Sequence, residues 1–356
     1  MRKLCILVVI PVLSITSAFG AIITTSVFAL GTSPGVMATG PDSVTAGNGS
    51  VWVAYSNGAD STGLPGPNSL VVQYNSNGTV QHTYSLPGYV DGLKINPANG
   101  NVWALQNQDG NSTLTIINTT TNTAGPAIPY SVTSGTRGYD DVVFTGGSTY
   151  LSYTNPTLGT DPIIQQLING SNPLAFSSNI LTMGASGTNL ATGLTGPIIA
   201  TDPDSMKLTL TGSLMLTSGS DGTLTFVSVP GGSVSFLQLL NPSTGGAVSG
   251  LDDAIFPTTT NGTFYVADTG NNRILAIHAT GLTLGSLFAD VGSLNEFGSV
   301  NTGTGVVSPT VTSVSGVNLS APHGIDFVAD APEPATGALV GLALIGAILA
   351  RRRISV

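Results

Sequence analysis

Charge is scarce in this sequence: only 8% of its 356 residues are Asp, Glu, Lys or Arg, against 46 glycines. That excludes a helical protein laced with ion pairs, while runs of Val, Ile, Leu and Tyr between turn residues exclude disorder. The lysines are Lys3, Lys94 and Lys207 alone, and three of the six arginines sit in the last residues of the chain. With a net charge of −9, no concentrated basic surface exists to neutralise phosphates, so nucleic acid is excluded as a partner. The one cysteine, Cys5, falls in a segment expected to be removed, which excludes disulfides, zinc-thiolate sites and cysteine nucleophiles from the mature protein. No HExxH, Walker or dinucleotide pattern occurs. Gly31-Thr32-Ser33-Pro34-Gly35 fits the formula G-x-S-x-G, but no helix pattern follows it to build a nucleophile elbow, and no catalytic residue is assigned.

The two ends of the chain are addresses. Arg2 and Lys3 precede an apolar run from Leu4 to Leu13, and Ala18 and Gly20 stand at −3 and −1 of a cut before Ala21. Residues 1–20 therefore read as a signal peptide with a short helix. An uncleaved anchor is the alternative, against which stands the shortness of the run beside the ~20 residues of a bilayer span. At the other end, Ala335 to Ala350 is uncharged and apolar and is followed by Arg351, Arg352 and Arg353, which stay on the cytoplasmic side of an exported chain. This predicts a transmembrane helix over 335–350. Ahead of it, Pro332-Glu333-Pro334 holds the backbone extended.

Pro-Glu-Pro, short apolar helix and Arg cluster, in that order over residues 331–356, resemble the PEP-CTERM sorting signal of Gram-negative, biofilm-forming bacteria. The resemblance implies a membrane protease, exosortase, as partner. Pro332, Glu333, Pro334, Arg351, Arg352 and Arg353 would be processing residues, with the inner membrane only a transient anchor. The mature protein would then be released or joined to surface polysaccharide. A permanent single-span anchor is the alternative.

Between the signals a pattern recurs. GPDSVTAG, YVDGLKIN, GYDDVVFT, GLDDAIFP and PHGIDFVA place Asp42, Asp91, Asp140, Asp252 and His323 in one column, with intervals of 49 residues from 42 to 91 and again from 91 to 140. The gap from 140 to 252 is close to two units, and LTGPIIATD near Thr195 is the expected sixth member. Further strands follow, with an Asn-Gly turn running into an aromatic-centred strand at Asn48-Gly49 before Trp52, Asn99-Gly100 before Trp103 and Asn261-Gly262 before Tyr265. About four strands per unit, without an amphipathic helix, predict an all-β fold: a β-propeller over residues 21–330. Six four-stranded blades fit best, with five or seven also open because closure is unsettled. The last inner strand meets the sorting tail, so its blade must be completed from Thr24–Leu30 or from 300–320.

The segment 251–281, with YVAD-x-GNNRI, resembles the NHL-type propeller repeat. In it Asp268, Asn271 and Asn272 are expected to form the tight turn between strands.

In a propeller the first strand of each blade lines the channel. Asp42, Asp91, Asp140, Asp252 and His323 should therefore ring one mouth, where carboxylates suit a divalent cation such as Ca²⁺. Gluconolactonase-like six-bladed enzymes place a metal there. The alternative is that these side chains cap backbone N–H groups of the next blade or face channel water. Asp141 and Asp253 are expected to bond from blade to blade, and His82 and His278 to lie on the surface. The composition supports an exported surface module that binds extracellular polysaccharide or another surface protein. A secreted metal-dependent hydrolase or lyase at the acidic mouth is the competing reading.

Overall fold

The computed structural model describes residues 21–331 apart from 34, 132–136, 158 and 160. Six four-stranded sheets surround one axis, and the inner strands of blades I to VI are Pro41–Gly47, Val90–Ile95, Tyr139–Thr145, Pro203–Leu208, Ala254–Ile255 and Pro322–Ala329. The expected six-bladed all-β propeller is what the chain forms. Among the described residues no helix is long and apolar enough to cross a membrane. The expected signal helix in 1–20 and the expected transmembrane helix 335–350 lie outside the described residues.

Local chemistry sets the strands. Asn48 and Gly49 both take positive φ, 52° and 76°, which closes a two-residue hairpin between Gly47 and Ser50. Alternation then buries one face of each strand against the next blade. Six apolar clusters result, one per blade interface. Trp52 of blade I, for example, packs in the layer that holds Leu93, Val102 and Ile117 of blade II. Full burial of such aliphatic and aromatic side chains contributes about 1.5–3 kcal/mol each.

Two expectations are corrected, and a third, open between two routes, is settled. Thr195 is not an inner-strand position: Thr195–Pro197 and Ser186–Asn189 form a hairpin outside blade IV, joined to its outermost strand by parallel pairing of Thr188 with Ser235. The sixth inner strand is Pro203–Leu208, whose Pro-Asp-Ser repeats that of residues 41–43, and the hairpin insertion is what stretched the spacing. Second, segment 251–281 is not one blade. Ala254–Ile255 pairs with Leu287–Val291 in blade V, whereas Asn261–Asp268 pairs with Pro322–Ala329 in blade VI. Repeat spacing identifies strands but not partners, and LDDAIF and PHGIDF are equivalent as inner strands. Third, blade VI closes with Ile22–Leu30 as its outermost strand on Arg273–Thr280, while Val307–Val311 belongs to blade V.

The turn at 268–272 forms as expected, around a fully buried Asp268 that accepts from Arg273 Nε at 2.6 Å and from the Ser320 N–H at 2.8 Å. His82 is exposed on an outer strand and His278 half-buried on a middle one.

Carboxylates tie the inner strands together. Asp141, Asp253 and Asp326 each accept the N–H of their own next residue with Oδ1, at 2.7–2.8 Å. Their Oδ2 atoms accept from the following blade: from Met206 N–H at 2.9 Å, Ile325 N–H at 2.9 Å and Ala46 N–H at 2.6 Å. Ser43 does the same for Leu93 N–H at 3.0 Å. Where the next blade comes too close for a side chain, glycine stands instead: a Cβ on Gly92 would lie 2.0 Å from the Asp140 carbonyl oxygen. Lys94 and Lys207 neutralise the carboxylates, at 3.0 Å from Asp141 and 2.6 Å from Asp253. Burial alone would push the Asp253 carboxyl up, but the short Lys207 contact and two N–H donors favour the ionised pair.

Asp253→Ala should therefore cost about 3–5 kcal/mol, because Lys207 is left without its partner. Adding Lys207→Met should recover much of the loss in chemical denaturation. Equal stability of Asp253→Ala and the parent would show that the tie is not structural.

Candidate functional site

At one end of the channel the pairing of inner and second strands skips a residue, at Asp42–Ser43, Asp91–Gly92, Asp140–Asp141 and Asp204–Ser205. A bulge of this kind re-aims side chains. Here the first of each pair faces the axis at the rim, while Ser43 and Asp141 reach to the next blade and Gly92 leaves room for it. The structure brings all five residues expected from the sequence, Asp42, Asp91, Asp140, Asp252 and His323, to this one rim and adds a sixth, Asp204, from blade IV. The five carboxylates line a central cavity of about 10 Å³. That is about the size of one water molecule or one bare ion.

Among the described residues His323 is the only cationic side chain on the rim. Its Nδ1 lies 2.7 Å from Asp42 Oδ1 and 3.4 Å from Asp252 Oδ1. The other oxygens of those two carboxylates are also held: Tyr89 Oη–H donates to Asp42 Oδ2 and Gly324 N–H to Asp252 Oδ2, both at 2.8 Å. On the opposite side of the rim the balance is missing. Asp140 is 4% exposed, yet its Oδ2 has no hydrogen-bond partner among the described residues. Below the rim, Asp290 accepts the Asp253 N–H at 2.8 Å through Oδ1 and leaves Oδ2 likewise without a partner. A second cavity, of about 310 Å³, opens beside the rim between blades IV and V and is lined by Asp202, Asp204, Ser220, Ser249, Asp252 and His323.

Crowding shows in the proton affinities. Burial, reinforced by neighbouring carboxylates, pushes Asp91, Asp140 and Asp204 well above the usual carboxyl range. Burial raises Asp252 to about 6 even against the pull of His323. Asp252 and Asp42 in turn raise His323 to about 10 despite its burial, so it stands as an imidazolium that donates to Asp42 and pairs by charge with Asp252. Asp42, Asp252 and His323 can bring one ligand atom each within 4.8 Å of one another, but the proton on His323 competes for that place. The donor set otherwise fits a hard cation: carboxylate oxygens from several blades around an ion-sized space, one of them unpartnered.

Asp204 and Asp290 were missed in the sequence. Their signals were present: Pro-Asp-Ser at 203–205 repeats 41–43, and Ala-Asp-Val-Gly at 289–292 repeats Ala-Asp-Thr-Gly at 267–270. The processing residues Pro332, Glu333, Pro334, Arg351, Arg352 and Arg353 lie outside the described residues.

Fold and rim together define a six-bladed β-propeller with an acidic central mouth. Residues 330–353 match the PEP-CTERM protein-sorting motif, so the chain carries the signal for export and surface sorting through exosortase. Among curated proteins none matches the chain. Similar solved structures include virginiamycin B lyase from Staphylococcus aureus, 12% identical over 87% of this chain and 96% of that chain, with a TM-score of 0.48. A protein of unknown function from Bacteroides caccae is 11% identical over 82% and 87%, with a TM-score of 0.48. An auxiliary nutrient binding protein from Bacteroides thetaiotaomicron is 12% identical over 67% and 59%, with a TM-score of 0.41. At such likeness none of them lends an activity or a ligand to this chain.

The raised groups fix a pH dependence. A carboxyl with a raised pKa holds its proton more tightly when folded, so its contribution is fully present below pH 3.8 and is lost as pH rises, through about 6 for Asp252, with Asp91, Asp140 and Asp204 shifted in the same direction. His323 contributes fully below 6.5 and loses its contribution as pH rises through about 10. The thermal midpoint of cation-free 21–331 should fall steadily across this range. A midpoint that rises with pH would contradict the rim's electrostatics.

Proposed function

We propose that the chain is an exported surface propeller, residues 21–330 once processed, that acts as a binding module in the extracellular polysaccharide matrix. Its mouth takes a divalent cation such as Ca²⁺, held by Asp42, Asp91, Asp140, Asp204 and Asp252, with His323 as an internal counter-cation. The observation that carries this reading is the ion-sized central cavity with its five carboxylates and the unpartnered Asp140 Oδ2. Calcium takes 6–8 oxygen ligands, so a rim-bound ion has positions left for hydroxyls of a polysaccharide, and the adjoining cavity leaves room for a sugar. The nearly uncharged Ser/Thr/Asn loops suit hydroxyl-rich partners.

A metal-dependent hydrolase or lyase at the same mouth is the second reading, favoured by the Asp42–His323–Asp252 contact. Geometry weighs against it, because Nδ1 of His323 is already engaged by two carboxylates.

Calorimetric titration of cation-free 21–331 with CaCl₂ should show one site. Asp140→Asn and, independently, the half-exposed Asp204→Asn should each weaken it at least about tenfold, since each removes a charged ligand. Retention on extracellular polysaccharide should require Ca²⁺ and be abolished by chelator. Absence of cation binding would overturn the reading, and turnover of ester or lactone substrates by the calcium-loaded protein would replace it with the hydrolase.

A further inference from the structure

The chain enters and leaves the propeller on the face opposite the mouth. The inner strand of blade VI runs from His323 at the rim to Ala329 at the far end. On that far edge Ile22 pairs with Thr280, Thr280 with Asn261, and the carbonyl oxygen of Asn261 accepts the Asp330 N–H at 3.1 Å. The first strand of the mature chain and the last residues before the sorting motif are thus three strand spacings apart, about 14 Å. Pro332 follows Ala329 by three residues, a reach of at most about 10 Å. No spacer separates the folded domain from the processing motif.

The same face has a chemistry of its own. Eleven turns and crossovers build it, among them Asn48–Gly49, Asn96–Asn101, Gly146–Gly147, Thr209–Ser213, Gly281–Ser286 and Asn301–Val306. None of the eleven contains Asp, Glu, Lys or Arg, and among the described residues Asp330, at the exit itself, is the one acid beside them. The mouth side, in contrast, carries Asp60, Asp109, Asp161, Asp202 and Asp221 in its loops besides the rim. Exposed apolar side chains on the terminal face include Ile168, Leu210 and Leu284, at 45%, 48% and 55%. A face whose turns carry no charge, with Asp330 at the exit held against His278 at 3.1 Å, can be brought against an apolar partner with little desolvation of ions.

We infer that this face is the docking surface for the membrane-embedded processing protease, and that the propeller is consequently sorted with its acidic mouth pointing away from the membrane. A protease that acts on Pro332-Glu333-Pro334 must come within the three-residue reach of the face, so the two surfaces meet during processing. An acceptor joined to the new C-terminus would sit on the terminal face and leave the mouth open. This inference is independent of what the mouth binds.

The test places carboxylates on each face of the full-length chain, in cells that hold the protease. Leu210→Glu, Thr211→Glu, Leu284→Glu and Thr302→Glu alter the terminal face, and Leu64→Glu with Val317→Glu alters exposed positions on the mouth side. Intact mass of the cell-associated and released protein reads precursor against product over time. Processing of the terminal-face variant should slow about tenfold or more, since each added carboxylate must be desolvated on docking. The mouth-side variant should match the parent, and a fifteen-residue Gly/Ser linker inserted between Ala331 and Pro332 should restore the terminal-face variant. A secreted form of the same variant, lacking 332–356, with the parent's thermal midpoint separates docking from misfolding. Equal processing of parent and terminal-face variant, or slowing by the mouth-side changes, would overturn the inference. So would binding of the parent, and not the variant, to protease-free vesicles of neutral lipid, which would make the bilayer the partner.

Discussion

The structure depends on carboxylates that bridge one blade to the next along the channel wall. Asp141, Asp253 and Asp326 use one oxygen to fix their own backbone and the other to hold an N–H of the following inner strand. Apolar layers between blades drive collapse, but they are non-directional and set no angle between sheets. The bridges are directional, and they lock successive inner strands in register. Without that register, Asp42, Asp91, Asp140, Asp204 and Asp252 would not converge on a space one ion wide. Fixing acids on the wall leaves buried negative charge, which is why the channel also holds two of the chain's few lysines.

Charge is partitioned along the propeller axis as a result. The rim concentrates carboxylates around a single imidazolium, the wall below balances three carboxylates with Lys94 and Lys207, and the far turns carry none. In so uncharged a chain this gradient is the main distinction between the two faces. It sets an acidic mouth against an opposite face, where both ends of the domain emerge, whose turns carry no charged side chain. In the proposed reading, binding and sorting use separate ends of one ring.

Much of this was legible in the sequence because the propeller repeats one chemical unit. The 49-residue spacing placed Asp42, Asp91 and Asp140 in register, and Asn48-Gly49 marked the hairpins that carry the strands through positive φ. The reading failed where regular spacing did. The hairpin insertion ahead of blade IV displaced Asp204 from its expected place, and Thr195 was taken for it although Pro-Asp-Ser was there to be matched. Blade VI misled for a different reason. Its strands come from three separate stretches, 22–30, 261–280 and 322–329, and pairing between distant segments is set by tertiary fit rather than by local pattern. The oxygens of Asp140 and Asp290 without a partner among the described residues, on which the proposed cation site rests, depend on side-chain neighbours from other blades and leave no trace in residue order.

The central claim is that inner strands from several blades converge on an ion-sized acidic space. It is tested most directly by a crystal structure of residues 21–331 grown with Mn²⁺ and measured at the manganese absorption edge. The account predicts one strong anomalous peak on the channel axis, with carboxylate oxygens from at least three blades, Asp140 among them, within about 2.6 Å. An axis without a peak, or rim carboxylates pointing to separate faces, would contradict it.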